Sequence, residues 1–182
     1  EVLAPEHGSP IRVVVPGYIG ARSVKWLSRI VVSDRPSPNH YLAQAYKLIQ
    51  EETPAALDAA NPLYDFALNS VICLPTPETV VQPGKLKVRG FALPGGGIGT
   101  KLTRIELSID GGERWTSART TNGQANPYCW ALWEAEVGVT AQTDRLLVRA
   151  ADSSGQTQPR EMPWNFKGYQ YNAWHQVRLK HA

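Results

Sequence analysis

KLTRIELSID, residues 101–110, decides the fold class. From Ile105 onward its apolar residues fall at every second position, Ile105, Leu107 and Ile109, and a period of two marks a strand with one buried face. Working outward, the same texture recurs. SVICLPTPETVVQPGKLKVRGFALPGGG (70–97) precedes it, and WALWEAEVGV (130–139), DRLLVRAADSSG (144–155) and AWHQVRLKHA (173–182) follow, each bounded by turn residues. Short strands at this spacing predict an immunoglobulin-like antiparallel β-sandwich, with its boundary near residue 70. Composition agrees, because Gly (15), Pro (14) and Trp (6) are plentiful in 182 residues. A net charge of +3 is too small and scattered for a nucleic-acid or membrane-surface partner. The longest apolar runs also fall short of a membrane span.

Residues 1–69 read differently. In IRVVVPGYIGARSVKWLSRIVV (11–32), two β-type runs, IRVVV and SRIVV, flank an insert rich in Gly, Arg and Lys. Tyr41, Leu42, Ala45, Leu48 and Ile49 approximate one helix face. That pattern is expected to stop at Thr53-Pro54, because proline disfavours helical geometry in the residue before it. Residues 54–69 then read as a connecting segment. Two strands and one helix are too few to bury a core. The section is expected to pack on the sandwich or to belong to a larger domain whose beginning is missing.

Gly17 and Gly20 permit close backbone approach, and Arg12, Arg22, Lys25 and Arg29 bring four cations to the insert. An anion cradle and a hairpin with a solvated basic rim both fit this spacing. LPGGGIGTK (93–101) lacks the last glycine of a dinucleotide loop and leads into a strand, so a loop between strands is expected. SIDGGERW (108–115) resembles an Asp-box hairpin, in which Asp110 tethers the turn, glycines accept its geometry and Trp115 packs beneath. His40 and His181 are expected at the surface, and His175 in a structural role. Glu51 and Glu52 read as solvated. Cys73 and Cys129 form no CxxC, and two buried free thiols are expected rather than a disulfide or a metal site. No Ser/His/Asp triad can be assembled.

The motifs together resemble the sulfite oxidase and assimilatory nitrate reductase family. HGSPIRVVVPGYIGARSVKWLSRI resembles its signature H-G-x-P-[VI]-R-x-[VI]-V-P-G-x-x-G-x-R-x-[VI]-K-W-[LI]. GKLKVRGFALPGGG, RIELSIDGGERW, YCWALWEAEV and PWNFKGYQYNAWHQVRL follow in the family's order, so the resemblance spans nearly the whole chain. It implies that 1–69 is the C-terminal part of a molybdopterin-binding α+β domain and 70–182 an immunoglobulin-like dimerisation domain. It also implies cofactor contacts at His7, Arg12, Ser23, Val24 and Lys25. The family's molybdenum ligand is a cysteine in the upstream half of the cofactor domain, and Cys73 and Cys129 match no ligand position. In the terminal W-N-L-R-G motif this chain has Lys167 in place of the arginine that lines the substrate-anion pocket. Lysine keeps the charge but loses the bidentate fork. The implied function is oxygen-atom transfer to or from an oxyanion by a molybdenum-molybdopterin enzyme. Its implied partners are a second copy through 70–182, the upstream half of the cofactor domain and an electron acceptor such as a cytochrome. A stand-alone β-sandwich interaction domain and a nitrate-reducing relative are the alternatives.

Overall fold

The computed structural model describes residues 2–96, 99–123 and 128–181. The chain divides into two compact units, Glu1–Phe66 with Pro163–Tyr171, and Ala67–Met162 with Asn172–Ala182. No helix among the described residues is long and apolar enough to cross a membrane.

The second unit is an antiparallel sandwich. One sheet orders its strands β1 (Asn69–Leu74), β3 (Gly84–Leu93), β7 (Ala131–Val139) and β6 (Arg119–Thr120). The other orders β5 (Thr116–Ser117), β4 (Leu102–Ser108), β8 (Arg145–Asp152) and β9 (His175–Arg178). A small parallel pair joins β2 (Val80–Val81) to β10 (Lys180–His181). Alternation along β7 aims Ala131, Trp133, Ala135, Val137 and Val139 inward, against Val88, Ile105, Leu107, Leu146 and Val148. Trp133 fits because Gly90, opposite it on β3, has no side chain. A Cβ there would lie 2.5 Å from the indole and 1.9 Å from the Val71 carbonyl. β8 lacks clean alternation because it is buried on both faces.

A buried amide clips the loop after β8 to the sandwich. Gln158 Oε1 accepts from Ser70 Oγ (2.5 Å) and from the Ala150 N–H (2.9 Å), while Nε2 donates to the Asn172 carbonyl (3.0 Å). The 108–115 turn closes as its residues suggest. Asp110 Oδ1 accepts from the N–H groups of Glu113 and Arg114 and from Ser108 Oγ, and Trp115 Nε1 donates to the Gly112 carbonyl. These bonds, led by the one from Arg114, hold the Asp110 carboxyl below its ordinary range. Residues 94–96 and 99–101 lie outside any strand or helix, and the Gly95 N–H donates to buried Asp152 (3.1 Å). Gly97 and Ile98 lie outside the described residues.

Several expectations need correction. Residues 11–15 and 28–32 form no strands. The first run makes only two backbone bonds to 24–27, Val13 N–H to the Val24 carbonyl and Leu27 N–H to the Ile11 carbonyl, both 2.9 Å. Ile30, Val31 and Val32 are exposed, since an apolar run without a ladder to join has no face to bury. The helix expected over 41–52 is only α1 (His40–Ala43). Tyr46 has a positive φ of 48°, and its carbonyl accepts from Leu63 N–H (2.7 Å), which draws the chain out of helical geometry. The second helix, α2 (Pro54–Ala59), lies where a connection was expected. Thr53 caps it through Ala56 N–H, and Pro54 occupies the first turn, where its missing N–H costs nothing. Both cysteines are free but exposed rather than buried. Glu52 is ion-paired, and His181 is half-buried with Nε2 2.7 Å from the Thr143 carbonyl. His40 is exposed.

His175 has a structural role, its Nδ1 accepting from the Ile72 N–H (3.2 Å). Burial holds its imidazole below the ordinary value of about 6.5. As pH falls, the unfolded chain takes up this proton before the folded one does. The stabilising contribution is therefore complete above about pH 6.5 and declines below it. Urea midpoints are expected to fall between about pH 7.5 and about pH 5.5, with a smaller fall in His175→Gln. Gln158→Met, which keeps volume but strands Ser70 and the Ala150 N–H, is expected to cost roughly 2–4 kcal/mol in denaturant unfolding.

Candidate functional site

The first unit brings two of its cations, Arg12 and Lys25, together at a glycine. Pro5–His7 form one 3₁₀ turn that ends at Gly8, with φ 110° and its N–H donating to the Pro5 carbonyl (3.0 Å). Gly8 is buried. A Cβ on it would stand 2.9 Å from Lys25 Cβ and 3.1 Å from Arg12 Cβ, so the absent side chain is what lets these two segments meet.

Arg12 reaches across the junction, with Nη1 donating to the His7 carbonyl (3.0 Å) and Nη2 to the Ser23 carbonyl (3.1 Å). Lys25 Nζ donates to the Glu6 carbonyl (2.6 Å) and lies 4.8 Å over the Trp26 ring. Trp26 Nε1 completes the knot at the Pro5 carbonyl (2.9 Å), and Ser23 Oγ accepts from Val15 N–H (3.2 Å). Val24 enters through its carbonyl alone, its side chain being exposed. His7 also enters through its carbonyl, and the residue is exposed.

Among the described residues, the acceptors at both cations are carbonyls and no carboxylate is paired with either. A guanidinium has five N–H groups and an ammonium three. Two bonds from Arg12 and one from Lys25 therefore leave donors of both available to an anion. This donor set fits a phosphate-bearing group such as the tail of a pterin cofactor. Residue type and spacing single out four cations, Arg12, Arg22, Lys25 and Arg29, and the family resemblance narrows them to Arg12 and Lys25; Gly8 and Trp26 as the parts that join them do not emerge from the sequence. Arg22 does not belong to the group. It donates from Nε (2.9 Å) and Nη2 (2.6 Å) to the Leu63 carbonyl and from Nη1 (3.0 Å) to the Tyr41 carbonyl, and stacks on Tyr64.

Lys167 sits in a different turn of the same unit. Asn165, 4% exposed, closes the turn by accepting from Tyr169 N–H (3.1 Å) and donating to the Tyr169 carbonyl (2.7 Å). Lys167 Nζ pairs with Glu52 at 3.0 Å. No contact among the described residues joins this pair to the Arg12–Lys25 group. No three His, Cys, Asp or Glu side chains among the described residues are grouped as a metal site.

An antiparallel sandwich preceded by a glycine-seated cation cluster defines the class. Residues 60–182 match the family described as the Mo-co oxidoreductase dimerisation domain, and the chain belongs to that family. Residues 1–41 match the oxidoreductase molybdopterin binding domain. The chain is 36% identical over 199 residues to sulfite oxidase of Arabidopsis thaliana, covering 99% of this chain and 49% of the relative. It is 38% identical over 183 residues to sulfite oxidase of Gallus gallus, covering 95% and 39%. It is 35% identical over 199 residues to nitrate reductase [NADH] 1 of Phaseolus vulgaris, covering 98% and 22%. Among solved structures, the sulfane dehydrogenase SoxCD from Paracoccus pantotrophus superposes with a TM-score of 0.80 at 29% identity, over 98% of this chain and 46% of that one. The chain thus spans about half the length of the Arabidopsis relative and less of the others.

Gly8→Ala is expected to cost about 1–3 kcal/mol, from positive φ and the clash with Lys25. Gly20→Ala, which meets nothing within 4 Å, is expected to stay within about 0.5 kcal/mol of wild type in the same thermal melts.

Proposed function

We infer that this chain supplies one wall of a molybdopterin pocket and the dimer module of a molybdenum oxidoreductase. Residues 1–69 are the end of the cofactor domain, and 70–182 carry the homodimer contact. The observation that carries this reading is the placement of Arg12 and Lys25. Two cations without a carboxylate partner among the described residues are pinned on backbone carbonyls, inside the stretch that matches the molybdopterin binding domain.

When bound, the cofactor supplies oxygen-atom transfer at molybdenum. The chain's own residues hold and orient it. Arg12 presents its remaining N–H groups to the cofactor phosphate, and its bonds to His7 and Ser23 fix the plane of that fork. Lys25 adds a point charge. Ser23, Val24 and Lys25 contribute main-chain groups, and the His7 ring lines the rim. Lys167 is the substrate-anion position. Its ammonium shares a carboxylate with Glu52, which tempers the charge offered to an incoming oxyanion. Relatives named sulfite oxidase and nitrate reductase support a sulfur or nitrogen oxyanion chemistry. The complete protein would take an electron acceptor such as a cytochrome as its partner.

The test is made in the complete gene product that carries this chain, by measuring pterin and molybdenum per polypeptide. Arg12→Ala and Lys25→Ala are each expected to weaken cofactor retention by about 1.5–3 kcal/mol, roughly tenfold or more, in protein that circular dichroism shows to be folded. Arg12→Lys is expected to recover part of the loss. The 182-residue chain alone is expected to show no sulfite-dependent electron transfer. Full pterin and metal content in both alanine variants would make the basic insert a surface feature of an interaction domain.

A further inference from the structure

The two outer faces of the sandwich are not equivalent. On the β5–β4–β8–β9 sheet, Arg149 pairs with Glu106 (2.9 Å) and lies 3.9 Å over the Trp115 ring. Trp174 packs edge-on against Trp115 with centroids 4.8 Å apart, and Arg160 stands 5.8 Å over Trp174. Leu147 and Ala151 face away from the core, yet they are only 7% and 5% exposed. The chain covers this face with its own side chains.

The β1–β3–β7–β6 sheet is left open. Its register sets Val71 opposite Phe91 and Phe91 opposite Leu132, in a row pointing away from the core. Trp130 extends the row, its ring edge-on to Phe91 at 4.7 Å, and Leu74 lies beside it opposite Arg89. Leu132, Trp130 and Leu74 are 48%, 52% and 48% exposed. Alongside runs a band of both signs, with Arg89 and Arg119 on Glu134 and Lys85 on Glu136.

An apolar row beside a mixed-charge band suits an isologous contact. Two-fold symmetry brings such a patch onto its own image, apolar against apolar, with cations and anions both present to pair. The row is also rigid, because the Leu132 N–H donates to Asn122 Oδ1 (2.9 Å) and its carbonyl accepts from Thr121 N–H (2.8 Å). Less ordering is then lost on association. With six, ten, nine and two residues in β1, β3, β7 and β6, the strands cover about 440 Å² at usual spacing and rise. That is about half of the ~800 Å² per partner of a standard interface, so the loops flanking Trp130 share the contact.

We propose that the outer face of the β1–β3–β7–β6 sheet, centred on Phe91 and Leu132, is the surface on which a second copy of this chain docks. The assignment rests on the homodimer reading above and on the match of 60–182 to a dimerisation domain.

Sedimentation of the 182-residue chain over a concentration series tests it. The wild type is expected to be a dimer. Leu132→Glu sets two like charges across the symmetry axis and is expected to raise the dissociation constant at least about 100-fold, with circular dichroism unchanged. Arg104→Glu, on the covered sheet, is expected to leave association as in wild type. Should Leu132→Glu fail to fold, Trp130→Glu at a more exposed position is read the same way. A folded Leu132→Glu or Trp130→Glu chain that dimerises like wild type overturns the face, as does a monomeric Arg104→Glu chain. A wild-type chain monomeric at high micromolar concentration overturns the homodimer reading itself, and the face with it.

Discussion

The absent side chain of Gly8 is the constraint on which the cation cluster depends. Its left-handed backbone ends the Pro5–His7 turn and lets Arg12 and Lys25 close in at distances no Cβ would allow. Once they are that close, the carbonyls of Glu6, His7 and Ser23 become the natural partners of the two long cations. Carbonyls orient a cation without cancelling its charge, whereas a carboxylate would do both. The segment has little regular structure and few hydrophobic contacts, so these charge-assisted bonds are what shape it.

The sandwich follows a different logic. Trp133 is its largest fully buried side chain, and Gly90 makes the room for it. Gln158 satisfies Ser70, Ala150 and Asn172 at once, so a loop that would otherwise leave polar groups dry is tied to the sheet. The tryptophans that cap one outer face are anchored by specific bonds, Trp115 to Gly112 and Trp174 to Gln158. The opposite face has no such cover, and that contrast is what singles it out for association.

Much of the sandwich is legible in sequence because its strands are local patterns. Alternation marks β4 and β7, and the Ser-x-Asp-x-Gly turn at 108–115 announces its own hydrogen bonds. The misreadings arise where tertiary contacts override local preference. SRIVV reads as a strand on composition but has no ladder to join, and Tyr46 leaves the helical pattern to bond Leu63. Thr53-Pro54 reads as a helix end, although a capping threonine followed by proline equally starts one. In the site, the candidate cations stand out by type, but Gly8 does not. Its role depends on approach by residues 12 and 25, which no local window contains. The open sheet face is hidden for a related reason: only the register between β3 and β7 shows which way Phe91 and Leu132 point.

Backbone amide spectra of the ¹⁵N-labelled 182-residue chain, titrated with inorganic phosphate, test the central claim most directly. The account predicts salt-sensitive shifts concentrated at Gly8, Arg12 and Ser23–Lys25, and their loss in Arg12→Ala. Shifts spread evenly over surface lysines and arginines, or none at Gly8 and Lys25 up to tens of millimolar phosphate, would contradict it.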